Sequence, residues 1–264
     1  MSTNTGNKST QDRIKHIQKY LNLEPDGIIG SATLTALENR LFDDNDNLTD
    51  AYSLIISKTG IEQLVRHEVV SESYYNRRLK HPIWPGGSSG VTIGIGYDLG
   101  YNTAAQIQRD WGNKIADADI VKLKKASGLK TDKAKKELRH LKSINITFEN
   151  AKTVFSQNTL PRYAAATRKT YPGIEKLFPD AQAALLSLVY NRGTSMSGSK
   201  RKEMAAIKPL VLQQDYTGIA QEIKNMKRLW ADKNLAGLLK RRDDEADLVS
   251  HANRDYNESN LIRV

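Results

Sequence analysis

The chain has 264 residues, of which 39% are hydrophobic and 27% charged, so it can bury a core and is not compositionally disordered. It has no cysteine, which excludes a disulfide scaffold, a thiol nucleophile and a cysteine-ligated metal site. The net charge of +10 is uneven: residues 1–50 carry 5 Lys and Arg against 8 Asp and Glu, and the remainder is strongly basic. A protein with such an excess of positive charge attracts polyanions: nucleic acid, an anionic membrane face or bacterial wall polymers.

The first elements predicted are two amphipathic helices. Apolar residues recur at helical spacing from Gln11 to Leu21, and the turn signal Pro25-Asp26-Gly27 follows. Ser31 predicts the cap of a second helix, and the apolar-free stretch 43–47 predicts a linker. The predicted domains are a disordered tail (1–9), a helical module (10–44), a linker (45–54) and a larger domain (55–264).

The larger domain is predicted to be mainly helical with one small β element. Ser57 indicates the start of a helix, and six glycines in residues 82–101 surround a strand-like run at 91–97, which predicts a glycine-rich hairpin. Helical patterns return after residue 103 and are clearest at 149–160, 180–190, 215–230 and 235–250. We therefore expect an α+β, mainly helical fold. No apolar run approaches the about 18 residues of a membrane span, and the polar N-terminus predicts no Sec-type signal peptide.

Glu68 is the first catalytic candidate. Its helix places it on the same face as Ile61 and Leu64, and a carboxylate on an apolar face is unfavourable unless it is paired or chemically used. Partial burial raises the pKa of a carboxyl group, which suits a general acid near neutral pH. The alternative is a structural glutamate that binds a buried arginine or a backbone amide.

The hairpin supplies the second candidate. Strand alternation predicts Thr92, Gly94, Gly96 and Asp98 on one side, away from the apolar residues. A hydroxyl and a carboxylate on one face can position a water, and the glycines leave room for a ligand. The alternative is a turn in which Asp98 merely caps. An acid on a helix followed by a second carboxylate is the layout of many glycosidases.

These residues resemble a known family. The string IEQLVRHE at 61–68, followed by TIGIG at 92–96, resembles the opening of the phage-type lysozymes, glycoside hydrolase family 24. The segments ITFENA at 146–151, DAQAALLSLVYNRG at 180–193 and GLLKRR at 237–242 resemble later helices of the same family. That family has an Asp shortly before the Thr-Ile-Gly run, whereas here Asp98 follows Thr92 by six residues, as in the pesticin-like branch.

The resemblance implies a two-lobed, lysozyme-like domain with a small β-hairpin lobe. It implies that Glu68 is the general acid, that Asp98 is the base or electrostatic partner, and that Thr92 helps to hold the water. It also implies substrate contacts from a further set: Tyr97, Gly96, Asn191 and Arg192. Inversion and retention both stay open, because the carboxyl separation is not readable from sequence.

The N-terminal segment resembles a three-helix peptidoglycan-binding module. The strings IQKYL at 17–21 and DGIIG at 26–30 carry the likeness, together with Thr33 and the pair at 36–37. Glycines at 27 and 30 permit a tight turn between two helices. We expect wall binding to involve Asp26, Gly27, Gly30 and Thr33; a plain helical hairpin appended to the enzyme is the alternative.

The resulting expectation is a muramidase, cleaving the β-1,4 bond between N-acetylmuramic acid and N-acetylglucosamine. It requires no cofactor and no metal. A monomeric phage endolysin, held in the host cytoplasm until release and acting on periplasmic peptidoglycan, fits the missing signal peptide. Contact with anionic membrane or lipopolysaccharide is also expected, and nucleic-acid binding is not. Four alternatives stay open: an antibacterial effector or bacteriocin, a lytic transglycosylase, a non-enzymatic wall-binding protein and, ranked last because no helix with base-contacting side chains stands out, a basic nucleic-acid-binding protein.

Overall fold

The computed structural model describes residues 9–21, 23–30, 32–34, 36, 54–231, 235–253 and 255–264. The chain divides into two compact units, with the boundary between Tyr52 and Ser53. Ser31 and the predicted linker at 43–47 lie outside the described residues, as does most of the predicted tail. In the first unit, helix α1 (Thr10–Tyr20) begins where Ser9 Oγ accepts a hydrogen bond from the amide of Asp12 at 3.2 Å.

The second unit is mainly helical, as predicted. Its helices are α2 (Lys58–Val69), α3 (Glu72–Arg78), α4 (Ala104–Trp111), α5 (Asp117–Lys125), α6 (Thr131–Glu137), α7 (Phe148–Val154), α8 (Leu160–Thr170), α9 (Pro179–Arg192), α10 (Lys202–Gln213), α11 (Tyr216–Asn225) and α12 (Ala236–Ser250). Its strands are β1 (Ile55–Ser57), β2 (Thr92–Ile93), β3 (Tyr97–Asp98) and β4 (Leu261–Arg263).

Helix α9 is the centre of the core. Residues 181–189 are all buried, so it is apolar on every side instead of amphipathic. Proline at its first turn favours the helix start, and Gly193, with φ +72°, follows its end. Helices α2, α8 and α12 and strand β1 all contact it. The elements that carry the charged candidates are therefore fixed by one buried helix.

A widened turn interrupts the long helical run between α7 and α8. Residues Phe155–Thr159 form a π-helical turn, which ends two residues before Pro161. Proline has no N–H and cannot donate to the carbonyl four residues back, so a regular α-helical pattern breaks near it. The sequence pattern predicted helix over 149–160 but contains no sign of the extra residue in this turn.

The two ends of the second unit pair with each other. Strands β1 and β4 are antiparallel, with Ile56 opposite Ile262, a pairing that the sequence patterns did not predict. Ser57 caps α2, as predicted: its hydroxyl accepts from the amide of Gly60 at 3.0 Å and donates to Asp180. Because Asp180 belongs to α9, the start of α2 is tied to the core.

The glycine-rich hairpin forms as predicted, with Thr92 opposite Asp98 and Ile93 opposite Tyr97. Gly94 and Gly96 turn the chain with φ values of +57° and +66°. A Cβ atom on Gly96 would overlap the hydroxyl of Tyr190, which donates to the carbonyl of Ile95 at 3.0 Å. Glycine is thus required both for the turn and for this approach of α9.

Replacing Gly96 by alanine tests this packing. Gly96→Ala introduces positive-φ strain and a clash with Tyr190, so we expect it to lower the free energy of unfolding by about 2–4 kcal/mol in urea denaturation. The matched control is Gly87→Ala, because Gly87 has φ +59° and no neighbouring atom lies within 4 Å of the position that a Cβ would take. We expect the control to lose only about 1 kcal/mol. Equal losses in the two variants would contradict the role given to Tyr190.

Candidate active site

Glu68 lies near the C-terminal end of α2 and is held by a buried arginine. Its Oε1 accepts a hydrogen bond from Arg241 Nη1 at 2.7 Å, with side-chain exposures of 20% for Glu68 and 4% for Arg241. A structural role for Glu68, the alternative to catalysis, predicts this contact with a buried arginine. It does not remove the catalytic hypothesis, since Glu68 keeps partial exposure and Oε2 accepts no hydrogen bond from the described residues.

Arg241 is itself part of a buried network. Its Nε donates to Glu245 Oε1 at 3.1 Å, and Ser187 Oγ donates to the same oxygen at 2.6 Å. Arg242 adds a further contact to Glu245 at 2.8 Å. Burial alone would lower the pKa of Arg241, but Glu245 and Glu68 outweigh it and raise that pKa above its ordinary value. Arg241 is therefore a fixed cation that orients Glu68.

Asp98 is held by backbone amides. Gly90 N lies 3.1 and 3.0 Å from its two carboxylate oxygens, and Gly100 N donates to Oδ1 at 2.8 Å. Burial raises the pKa of Asp98, and the two amides oppose that shift without cancelling it. Thr92 faces Asp98 across the hairpin, and within the described ranges its hydroxyl has no side-chain hydrogen bond.

Tyr163 on α8 is under the electrostatic influence of both carboxylates. Burial raises the pKa of its phenol first, and the negative charges of Glu68 and Asp98 add to the shift. Its ring lies 4.5 Å from that of Tyr190, centroid to centroid. Asp98 and Tyr163 line the same cavity, and Tyr190 contacts the hairpin at Ile95, so the hairpin lies beside α8. Glu68, at the end of α2, acts electrostatically on both tyrosines.

The predicted substrate contacts separate into two groups. Gly96 and Tyr97 line a cavity of about 270 Å³ beside Asp98. The ring of Tyr97 is buried, and its hydroxyl donates to Asp110 Oδ2 at 2.8 Å, so its main role is packing. Substrate contact by these two residues stays a prediction.

The other two predicted contacts lie at the end of α9. Asn191 is exposed, and Arg192 donates to the carbonyl of Lys200 at 2.5 Å and lies 5.0 Å from the ring centroid of Trp230. Burial, together with Arg201 and Arg242, lowers the pKa of Arg192 to about 10. Among the described residues, no contact joins Arg192 to the hairpin, so its role in substrate binding also stays a prediction.

Three residues of this site had no predicted role: Tyr163, Arg241 and Glu245. The sequence around Tyr163 contains no motif that indicates a functional role. Arg241 and Glu245 lie four apart in a strongly charged segment, which is the pattern of a solvated helix face. Only the burial of α12 against α9 distinguishes them from surface residues.

In the first unit, the predicted wall-binding residues surround Gln18. This buried side chain donates to Asp26 Oδ1 at 2.7 Å and to Thr33 Oγ1 at 3.1 Å, and accepts from the amide of Gly27 at 2.8 Å. Hydrogen bonds from Ile28 N and Gln18 lower the pKa of Asp26. Gly30 is exposed, with open space where a Cβ would lie. The turn uses Asp26, Gly27 and Thr33 internally, and their contact with the wall stays a prediction.

Neither a metal cluster nor a membrane-spanning helix is found in the described residues. Across the parts of the chain that the structure covers, no group of three or more histidine, aspartate or glutamate residues is placed to hold a metal ion. In the same parts, no helix has the length and apolar character needed to cross a membrane.

Comparison with known families gives two matches. Residues 11–59 match a family described as a predicted peptidoglycan domain, and residues 65–171 match a domain of unknown function, DUF8812. No curated protein matches the chain significantly. The first match supports a peptidoglycan-binding module at the N-terminus and a function related to the cell wall. The second includes Glu68, Asp98 and Tyr163 but ends before α9 and α12.

The raised pKa of Asp98 predicts a pH-dependent stability. In the folded chain Asp98 keeps its proton above its ordinary pKa of 3.8, so the folded state binds more protons than the unfolded state just above that pH. Stability from this group is therefore lost as the pH rises through the folded-state pKa. We expect the melting temperature of Asp98→Asn to rise relative to that of wild type as the pH increases from below 3.8 toward neutral.

The matched control is Asp132→Asn, which changes an exposed carboxyl on α6. Thermal melts of the three proteins across that range give the comparison. A difference between Asp98→Asn and wild type that stays constant with pH, or that falls, would contradict the burial effect.

Proposed function

We propose that the protein is a peptidoglycan hydrolase, a muramidase that cleaves the β-1,4 bond between N-acetylmuramic acid and N-acetylglucosamine. The observation that carries the proposal is that Asp98 and Tyr163 line one cavity, and that Glu68 acts electrostatically on the same tyrosine. Most glycoside hydrolases act through a pair of carboxyl groups that flank the glycosidic bond to be cleaved. The peptidoglycan match of residues 11–59 supports the substrate.

In this mechanism Glu68 protonates the glycosidic oxygen. Arg241 divides its hydrogen bonds between Glu68 and Glu245, so its own charge stays paired with Glu245 when Glu68 exchanges a proton with the substrate. The bond from Arg241 to Oε1 orients the carboxyl group and leaves Oε2 for the glycosidic oxygen.

Asp98 and Thr92 then act on the attacking water. The amides of Gly90 and Gly100 fix the orientation of the Asp98 carboxylate. Oδ1 accepts from both amides, whereas Oδ2 accepts only from Gly90 and retains a lone pair for another donor. The hydroxyl of Thr92, opposite Asp98 in the hairpin, is available to the same water. In this arrangement Asp98 serves as base or as the electrostatic partner of the transition state.

The biological setting proposed is lysis by a phage endolysin, with the N-terminal module holding the enzyme on its substrate. Exposed lysines on α6, among them Lys133 and Lys136, offer contact with anionic lipid or lipopolysaccharide. An antibacterial effector or bacteriocin would use the same chemistry. A lytic transglycosylase is the second candidate, because the amide bonds of Asp98 also suit a purely structural residue, which would leave Glu68 to act alone.

Clearing of outer-membrane-stripped Gram-negative sacculi tests the proposal. We expect wild type to clear the suspension and Glu68→Gln to lose at least about 100-fold in rate, because a general acid contributes about 10²- to 10⁴-fold. The control is Glu62→Gln, an exposed position on the same helix, which should clear at the wild-type rate. A Glu68→Gln variant that clears normally, or a wild type that binds sacculi without clearing them, would contradict the assignment.

Asp98→Asn separates the two enzymatic candidates in the same assay. A hydrolase that uses Asp98 to position water should lose most of its clearing rate. A transglycosylase should keep it, because its product forms by internal attack without water.

A further inference from the structure

The cavity beside Asp98 is small, and polar and apolar groups both line it. It lies between the end of β3 and helix α8 and encloses about 270 Å³. Drug-sized ligands occupy pockets of about 300–1,000 Å³, so this volume suits a single small unit. Asn102, Gln106 and Thr159 contribute polar groups to its lining, and Tyr101 and Tyr163 contribute rings.

Thr159 differs from the other threonines of the same helical run. Thr153, Thr167 and Thr170 each donate their hydroxyl to the carbonyl four residues earlier, at 3.0, 2.7 and 2.7 Å. Thr159 is 4% exposed, and its buried Oγ1 has no hydrogen-bond partner among the described residues. Leaving a buried hydroxyl unpaired costs about 1–3 kcal/mol.

Thr159 also differs from those threonines in its backbone. It is the last residue of the π-helical turn, in which the carbonyl of Phe155 accepts from the amide of Leu160, five residues on. The three threonines that bond their own backbone lie in the regular helices α7 and α8. Widened turns of this kind occur frequently at functional sites.

The charges around the cavity balance. Arg162 contacts Asp110 Oδ2 at 2.9 Å and donates to Asn102 Oδ1 at 3.2 Å, so its charge is compensated by a buried carboxylate. Lys130, which lies over the ring of Tyr101, acts electrostatically on Asp98. Two cations thus face two carboxylates, and the lining favours an uncharged polar ligand over an ion.

We propose that this cavity is a subsite for the acetamido group of an N-acetylhexosamine, with the Thr159 hydroxyl as a hydrogen-bonding contact. The inference rests on the proposed function and names the part of the glycan that the site recognises. An acetamido group offers one acceptor, one donor and a methyl group, which match the hydroxyl, the side-chain amides and the aromatic rings. Rotation of Thr159 about χ1 exchanges its hydroxyl and methyl positions, so the hydroxyl turns to the ligand without backbone movement.

Titration calorimetry on the full chain tests the subsite. The parent is Glu68→Gln, which prevents turnover, and the probes are β-1,4-linked tri-N-acetylchitotriose and cellotriose, which lacks the acetamido groups. We expect chitotriose to bind more tightly than cellotriose. We expect Thr159→Val to weaken chitotriose binding by roughly three- to tenfold, the contribution of one hydrogen bond. Thr159→Ser should bind like the parent.

The matched control is Thr167→Val, because Thr167 is buried in helix α8, which follows the π-helical turn, but bonds its own backbone. It should bind chitotriose like the parent. Thr159→Val should also keep or raise the melting temperature, since it removes an unpaired buried hydroxyl. Weakened binding together with undiminished stability then assigns the effect to the ligand contact.

The outcomes separate this inference from the proposed function. If chitotriose does not bind the parent, binds no better than cellotriose, or binds Thr159→Val and the parent equally, the subsite is wrong. Equal losses in Thr159→Val and Thr167→Val also overturn it. If a protein with Glu68 intact clears sacculi while Thr159→Val changes neither binding nor clearing, the result supports the proposed hydrolase and contradicts the subsite. If Thr159→Val weakens chitotriose binding but no protein clears sacculi, the result supports the subsite and contradicts the hydrolase.

Discussion

The buried ion network on α12 is the constraint on which the candidate site depends. Arg241 and Arg242 are adjacent, almost wholly buried, and share the carboxylate of Glu245, which is itself fully buried. Removing one partner of a buried pair leaves an uncompensated charge and typically costs about 3–5 kcal/mol. Arg241 also donates to Ser187 Oγ of α9 at 3.1 Å and to Glu68 Oε1 of α2 at 2.7 Å. The guanidinium group of Arg241 thereby joins three helices that are distant in sequence.

This arrangement explains why Glu68 is both structural and chemically available. Its ion pair with Arg241 satisfies the structural hypothesis, yet one carboxylate oxygen stays unoccupied by described residues at partial exposure. Asp98 shows the same duality, because its capping bonds fix the direction of its carboxylate while burial raises its pKa. In both cases the hydrogen bonds that fix the carboxyl group also give it a defined orientation.

Local chemistry made much of the fold predictable. The Ser57 cap, the pairing of Thr92 with Asp98 and the helices near 180–190 and 235–250 all follow from short-range patterns. The β1–β4 pairing and the role of Arg241 did not, because each depends on residues more than 170 positions apart. The π-helical turn also left no periodic signal. In the first unit, the polar side chain of Gln18 suggests a surface position. Its bonds to Asp26 and Thr33 show instead that it organises the turn.

The identity of the released fragments tests the central claim most directly. Purified sacculi should be digested in ¹⁸O-labelled water by wild type and by Glu68→Gln, and the muropeptides analysed by mass. A muramidase predicts muropeptides that end in reducing N-acetylmuramic acid and carry one ¹⁸O atom, released by wild type and not by Glu68→Gln. Anhydro ends without ¹⁸O, reducing N-acetylglucosamine ends, or equal release by the two proteins would contradict it.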